Sequence, residues 1–238
     1  MSTRIGMVLA IDTASAKASV AIGGSDGLTA ERRWSVATTV SMELLAEIDA
    51  LLTEAGIARR DLTALAVCVG PGGYGGLRAG VATAQGMALA LDVPLAAVSR
   101  LEAEAMPLLR TAAAGRAVVA VHDARRSGIA WAAYACPAPE RLPSELVPPS
   151  ITTAEECAAN APAGALWCGE TSEALTDALD AAGRRGDDHA AAAEHSRAVA
   201  VLELARKRDN YDDPAQADVT YLRPPSITRP NPTKTPRR

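Results

Sequence analysis

The chain has 238 residues, a formal net charge of −4 and 48% hydrophobic residues, yet only 3% aromatics and no phenylalanine. That length allows one large domain or two small ones, and the acidic balance argues against a body built to grip nucleic acid by charge. No apolar run approaches the ~20 residues that cross a bilayer, so no membrane partner is expected.

In chain order, the opening residues MSTRIGMVLAIDTA carry one Arg and a short apolar run that Asp12 interrupts, which reads as a first strand rather than a signal peptide. Val8–Asp12, Ala18–Ile22 and Leu28–Trp34 are three short strands, and their close connections predict antiparallel neighbours. Thr39–Ala55 follows with Leu44, Leu45, Ile48, Leu51, Leu52 and Ala55 at helical spacing and Gly56 as a stop. Strand Leu65–Val69, helix Leu77–Leu91 and strand Leu95–Val98 complete a βββαβαβ order. A poorer second copy begins at Ala117–Val121, continues through Ile129–Tyr134 and includes Leu166–Cys168. The Pro-rich stretch Cys136–Pro149 reads as a loop in which Leu146-Val147 is at most a short strand, and helices are expected at Thr171–Ala182 and Glu194–Arg208.

Half of the residues from Val69 to Gly80 (VGPGGYGGLRAG) are glycine, placed between a strand and a helix. Gly70, Pro71, Gly72, Gly73, Tyr74 and Gly75 form the turn. It is not a P-loop, because Gly76 is followed by Leu77 and Arg78 rather than by Lys and Ser or Thr. The dinucleotide-binding pattern fails as well, since no acid lies on the next strand. Gly76, Gly80, Ala84 and Ala88 then recur every fourth residue, putting small side chains on one helix face. Such a face rests on the protein's own sheet or admits a second chain, and periodicity leaves both open.

The turn resembles the GPGSFTGLR motif of the TsaB (YeaZ) family, in the actin/Hsp70/sugar-kinase superfamily. Met7–Ala14 (MVLAIDTA) is similar to that family's opening strand, Pro94–Glu102 (PLAAVSRLE) to its PLVGVSSLE, His122–Arg126 (HDARR) to its MDARR, and Tyr221-Leu222-Arg223 to its C-terminal YLR. Two departures stand out: Gly73-Tyr74-Gly75 replaces Ser-Phe-Thr, and Val40-Ser41-Met42 replaces His-Ser-Glu.

The resemblance implies an α/β fold of two actin-like (ribonuclease H-like) subdomains, the second degenerate, over residues 1–108 and 109–225. It implies a non-catalytic subunit that binds TsaD and supports threonylcarbamoyl transfer to adenosine 37 of tRNAs reading ANN codons. Its docking face would be Thr39–Ala55 with Leu77–Leu91, through Leu44, Leu45, Ile48, Leu52, Gly76, Gly80, Ala84 and Ala88. The same face would pair two copies when the partner is absent, the TsaE ATPase is a further candidate partner, and tRNA would be met only indirectly. ATP and a divalent metal are expected on the partner or assembly rather than tightly on this chain, and the location is expected to be cytoplasmic. The alternative is an independent ATPase or kinase of the superfamily, or a glycoprotease-like metallopeptidase.

No catalytic residue is assigned. By resemblance, Asp12 and Thr13 sit where a metal-bound nucleotide phosphate is approached; alternatively they satisfy backbone groups of their turn. Asp123 could fill a second such role by position. Arg78, Arg125 and Arg126 are candidate anion or partner contacts, since Arg suits both, while Arg125 and Arg126 read equally as a solvated turn. Glu102 and Glu104 fit a helix start, where acids suit the dipole. His122, His189 and His195 contain no His-x-x-x-His pair of the kind TsaD uses, so no metal site is expected. Cys68, Cys136, Cys157 and Cys168 lack metal-ligand spacing and read as reduced thiols. Ser226–Arg238, with four cations, three prolines and no acid, reads as a basic disordered tail.

Overall fold

The computed structural model describes residues 6–138, 140–184 and 196–222; His189, His195, Arg223 and the basic tail lie outside them. The expected βββαβαβ order is present in the first half. It runs β1 (Met7–Asp12), β2 (Lys17–Gly24), β3 (Gly27–Ser35), α1 (Val40–Ala55), β4 (Leu62–Cys68), α2 (Tyr74–Leu91) and β5 (Leu95–Val98). These strands form one sheet in the order β3-β2-β1-β4-β5. Neighbours β1–β2 and β2–β3 are antiparallel, whereas β1–β4 and β4–β5 are parallel. The short turns after β1 and β2 force the first relation, and the helical crossovers α1 and α2 permit the second.

After α3 (Arg100–Thr111), the pattern repeats as β6 (Ala117–Asp123), β7 (Ile129–Ala135), β8 (Ser144–Thr152), α4 (Ala154–Asn160), β9 (Leu166–Gly169) and α5 (Glu173–Ala181), then α6 (Arg197–Arg208). The second sheet is β8-β7-β6-β9, the first sheet's order without a fifth strand among the described residues. The loop expected over Cys136–Pro149 is corrected: its end belongs to the nine-residue strand β8. Pro148 and Pro149 are compatible with that strand because it is an edge, with pairing to β7 that shifts register at two places. α4 lacks a long apolar stripe and was not expected; it starts on a capping box between Thr153 and Glu156.

The faces of the first sheet explain its near-continuous apolar strands. α1 and α2 cover one face and α6 covers the other, so β1 and β4 are buried on both sides. Leu44, Ile48, Leu51 and Leu52 of α1 are buried, each contributing about 1.5–3 kcal/mol relative to exposure. α3 packs on the second sheet and against α6. Each half therefore lends its last helix to the space between the sheets, and one apolar core runs continuously through α3, α6 and both inner sheet faces. A smaller core lies between the second sheet's outer face and α4 and α5.

Candidate functional site

The β1–β2 turn and the start of α2 interlock. Thr13 Oγ1 donates to the Gly76 carbonyl at 2.8 Å, and Gly73 N–H donates to the Ala14 carbonyl at 3.0 Å. A Cβ at Gly76 would lie 2.4 Å from the Thr13 carbonyl oxygen, and one at Gly80 would lie 2.1 Å from Thr13 Oγ1. Gly80, Ala84 and Ala88 are buried. The small-residue stripe is thus filled by the chain's own turn and sheet, which corrects its reading as a surface for a partner. Leu44, Ile48 and Leu52 are corrected in the same way, since they face inward on α1. Leu45 alone of that helical set is exposed.

The outer face of the helix pair carries other residues. Met42 is 74%, Leu45 51% and Leu89 64% exposed. Gly75 and Gly86 also point outward, where an added Cβ would meet nothing within 4 Å. A face with large exposed apolar side chains and room for close backbone approach has the composition of a docking surface.

Between the sheets lies a buried ionic network that sequence spacing did not reveal. Asp12 is fully buried; its Oδ1 accepts from Ala14 N at 3.2 Å and its Oδ2 pairs with Arg197 Nε at 2.8 Å. Arg197 also reaches Glu104 at 3.4 Å, Ser15 Oγ at 2.6 Å and the Lys17 carbonyl at 3.0 Å. Burial lowers the Arg197 pKa, but Asp12 and Glu104 outweigh it and hold the guanidinium above its usual range. Asp12 and Thr13 are accordingly closed off rather than open to a nucleotide, which corrects that reading and agrees with their role in the turn. Glu102 lies in the first turn of α3, as its reading at a helix start has it, and both acids also join helices: buried Glu102 pairs with Arg208 and Glu104 with Arg197. The signal was scattered over positions 12, 104 and 197, which only the fold brings together.

Arg100 ties the glycine turn to the second sheet. It is buried at the start of α3; its main-chain N–H donates to the Gly70 carbonyl at 2.8 Å, its Nη1 lies 3.5 Å from the Pro71 carbonyl, and its Nη2 meets Glu170 Oε1 at 2.8 Å. Gly70 has φ 103°, a left-handed value that glycine supplies without strain. His122 Nδ1 lies 2.7 Å from Glu170 Oε2 and 3.0 Å from Arg100 Nη1, so the three side chains meet at one ring nitrogen. The His122 hydrogen bond, opposed by burial and helped by Arg100, holds Glu170 at about 2.

Above this network is a cleft of about 400 Å³. The turn Pro71–Gly73 with Leu77 forms one wall, His122–Arg125 with Ser127 the other, and Thr220–Leu222 close one side. The closing segment is held by Thr220 N–H donating to the Val69 carbonyl at 2.8 Å. Asp123 Oδ1 accepts from Arg125 N at 2.8 Å, and Arg125 and Arg126 stand exposed on the β6–β7 turn. At the mouth, Arg78 lies 4.5 Å over the Tyr74 ring and donates from Nε to Tyr221 Oη at 3.0 Å. Among the described residues no group of three or more His, Cys, Asp or Glu side chains is placed to hold a metal, and all four cysteines are free and buried.

A family model described as "TsaD: tRNA N6-adenosine threonylcarbamoyltransferase" matches residues 36–139. The tRNA threonylcarbamoyladenosine biosynthesis protein TsaB of Escherichia coli (strain K12) is 35% identical over 127 residues, covering 53% of this chain and 54% of the relative. The protein of the same name from Bacillus subtilis (strain 168) is 36% identical over 95 residues, 40% of this chain and 42% of the relative. The chain spans about half the length of these curated relatives. Among solved structures, YeaZ from Pseudomonas aeruginosa superposes with a TM-score of 0.73 at 26% identity, covering 92% of this chain and 100% of that chain.

Proposed function

The chain belongs to the TsaB/YeaZ family, and we propose that it acts in tRNA threonylcarbamoyladenosine biosynthesis as a non-catalytic subunit that docks on a TsaD-type threonylcarbamoyltransferase. The docking face is the outer side of α1 and α2. The observation that carries this reading is that face itself, where Met42, Leu45 and Leu89 stand in water around outward-facing Gly75 and Gly86. Burying three such side chains contributes on the order of 1.5–3 kcal/mol each before the costs of association. A closed Asp12–Arg197 pair supports a supporting role over an independent nucleotide enzyme, because a buried, paired carboxylate is not free to hold a metal-bound phosphate. The chemistry, ATP and divalent metal then belong to the partner, with adenosine 37 as the target. The same face pairs two copies of the chain when no partner is present, and a TsaE-type ATPase joins the working assembly.

The test is reconstitution of tRNA threonylcarbamoylation from the purified transferase and remaining components, with and without this chain. Product formation that depends on the chain supports the reading. Equal product without it, given matched and folded partners, overturns it.

A further inference from the structure

The seven aromatic side chains of this protein are distributed unevenly. Tyr74 and Tyr221, 60% and 46% exposed, are the exposed aromatics among the described residues; Tyr221 lines the cleft and Tyr74 follows the lining residue Gly73 at its edge. Their ring centroids are 6.0 Å apart at 31°, although 147 positions separate them in the chain. Arg78 is ordered by both: stacked on one ring and hydrogen-bonded to the other hydroxyl, with no ion pair to an acid among the described residues. Its terminal nitrogens are left for an incoming anion, held in place at little further entropic cost.

Across the mouth, the Arg125 side chain is 88% exposed and meets Asp123 only at 3.8 Å, with exposed Arg126 beside it. The acids on that wall are engaged: Asp123 accepts from the Arg125 backbone, and Glu170 is held by His122 and Arg100. The cleft volume of about 400 Å³ falls within the range that encloses one small ligand or one extruded residue of a polymer. Two exposed rings, three arginines and a pocket of that size in one place match single-stranded nucleic acid, in which bases stack on aromatics while phosphates meet cations.

We propose that this cleft mouth is a single-stranded RNA contact, with Tyr221 and Tyr74 stacking a base and Arg78 and Arg125 meeting the flanking phosphates. The identification of that RNA as a tRNA loop or end rests on the function proposed above. The mouth lies at the first turn of α2, so RNA held there runs beside the docked partner. An acidic protein can still hold RNA in this way, because the attraction is local and falls off over the screening length.

The test measures anisotropy of a labelled, unstructured oligouridylate titrated with the full chain at low and raised salt, and then ultraviolet crosslinking of a tRNA transcript to the reconstituted complex. The expected result is binding that weakens as salt rises, crosslinks in peptides holding Tyr74 or Tyr221, and at least about a fivefold loss of affinity in Tyr221→Ala. Arg125→Glu, on an exposed turn with no packing role, gives a loss of the same sense, and Arg60→Glu at a distant exposed position leaves binding unchanged. Wild-type affinity in both Tyr221→Ala and Arg125→Glu overturns the proposal, as does the absence of salt-dependent binding. If these substitutions weaken docking on the transferase while RNA binding persists, the mouth is a protein contact and the RNA assignment is overturned. Loss of the RNA contact from a complex whose modification still depends on this chain removes only this inference and leaves the partner role standing.

Discussion

Replacing Gly80 by alanine sets a methyl group 2.1 Å from Thr13 Oγ1, 3.2 Å from its Cβ and 3.3 Å from its Cγ2. Thr13 cannot simply turn away, because it is buried, stiff at χ1 and bonded to the Gly76 carbonyl at 2.8 Å. Overpacking of this kind costs about 1–3 kcal/mol, and breaking the Thr13–Gly76 bond adds about 1 kcal/mol. The better helix propensity of alanine returns about 1 kcal/mol. The net expectation for Gly80→Ala is a loss of about 1–3 kcal/mol, read as a fall in Tm of roughly 2–12 °C for a chain of this size. Gly86, six residues along the same helix, faces open space, so Gly86→Ala gains up to about 1 kcal/mol and raises Tm. Thr13→Ala removes the obstructing hydroxyl, so the double variant Thr13→Ala with Gly80→Ala loses less than the two single losses combined. Calorimetry of the wild type and these four variants checks the set. A Gly80→Ala chain as stable as Gly86→Ala refutes the internal packing of the stripe, and an unchanged Tm with lost docking on the transferase returns Gly80 to a partner surface.

Arg197→Met leaves the fully buried Asp12 without its cation and Glu104 with Arg100 at 3.9 Å, and denaturant unfolding is expected to show a loss of about 3–5 kcal/mol; a loss under about 1 kcal/mol means that the Asp12–Arg197 pair is more hydrated than its burial indicates. Glu170 is held at about 2, below its usual 4.5, so its contribution to stability is full above pH 4.5 and disappears as pH falls toward 2. Glu170→Gln flattens the acid limb of stability against pH in that window, by an amount reduced by solvent screening of this half-exposed group, and an unchanged limb rejects the assignment. Leu45→Glu on the outer face of α1 changes stability by less than about 0.5 kcal/mol but weakens docking on the transferase by about tenfold or more, the equivalent of 1.4 kcal/mol; pull-down and calorimetric titration against the wild type decide it.

How much of this molecule is legible from its residues depends on how local the cause is. The strands β1, β4 and β5 and the helices α1 and α2 are readable because apolar period, turn residues and glycine stops all act within a few positions. β8 is not, since two prolines and a polar start look like loop until β7 supplies the partner that makes an edge strand of them. The orientation of α2 shows the limit most clearly. The sequence places two small-residue rows on that helix, Gly76-Gly80-Ala84-Ala88 and an outward row with Gly75 and Gly86, and periodicity cannot say which row faces in. Thr13, more than sixty positions away, decides it by occupying the space beside Gly76 and Gly80.

The ionic network follows the same logic at longer range. Arg100, Glu104, His122, Glu170 and Arg197 each have an ordinary surface reading when taken singly, because charged residues are almost never fully buried unless paired. They become informative only when α3 and α6 cross between the sheets and bring them within 2.7–3.9 Å of one another. That crossing has a consequence for function. Arg100, through its main-chain N–H and its guanidinium, and Arg197, through its guanidinium, tie the glycine turn and the β1–β2 turn, which set the start of α2, to the second half of the chain. The start of α2 is therefore held by contacts from both halves, and Arg78 on its first turn reaches Tyr221 at the cleft mouth. For a subunit proposed to support another protein's catalysis, a partner on α1 and α2 and a ligand at Tyr221 would meet the same connected set of contacts.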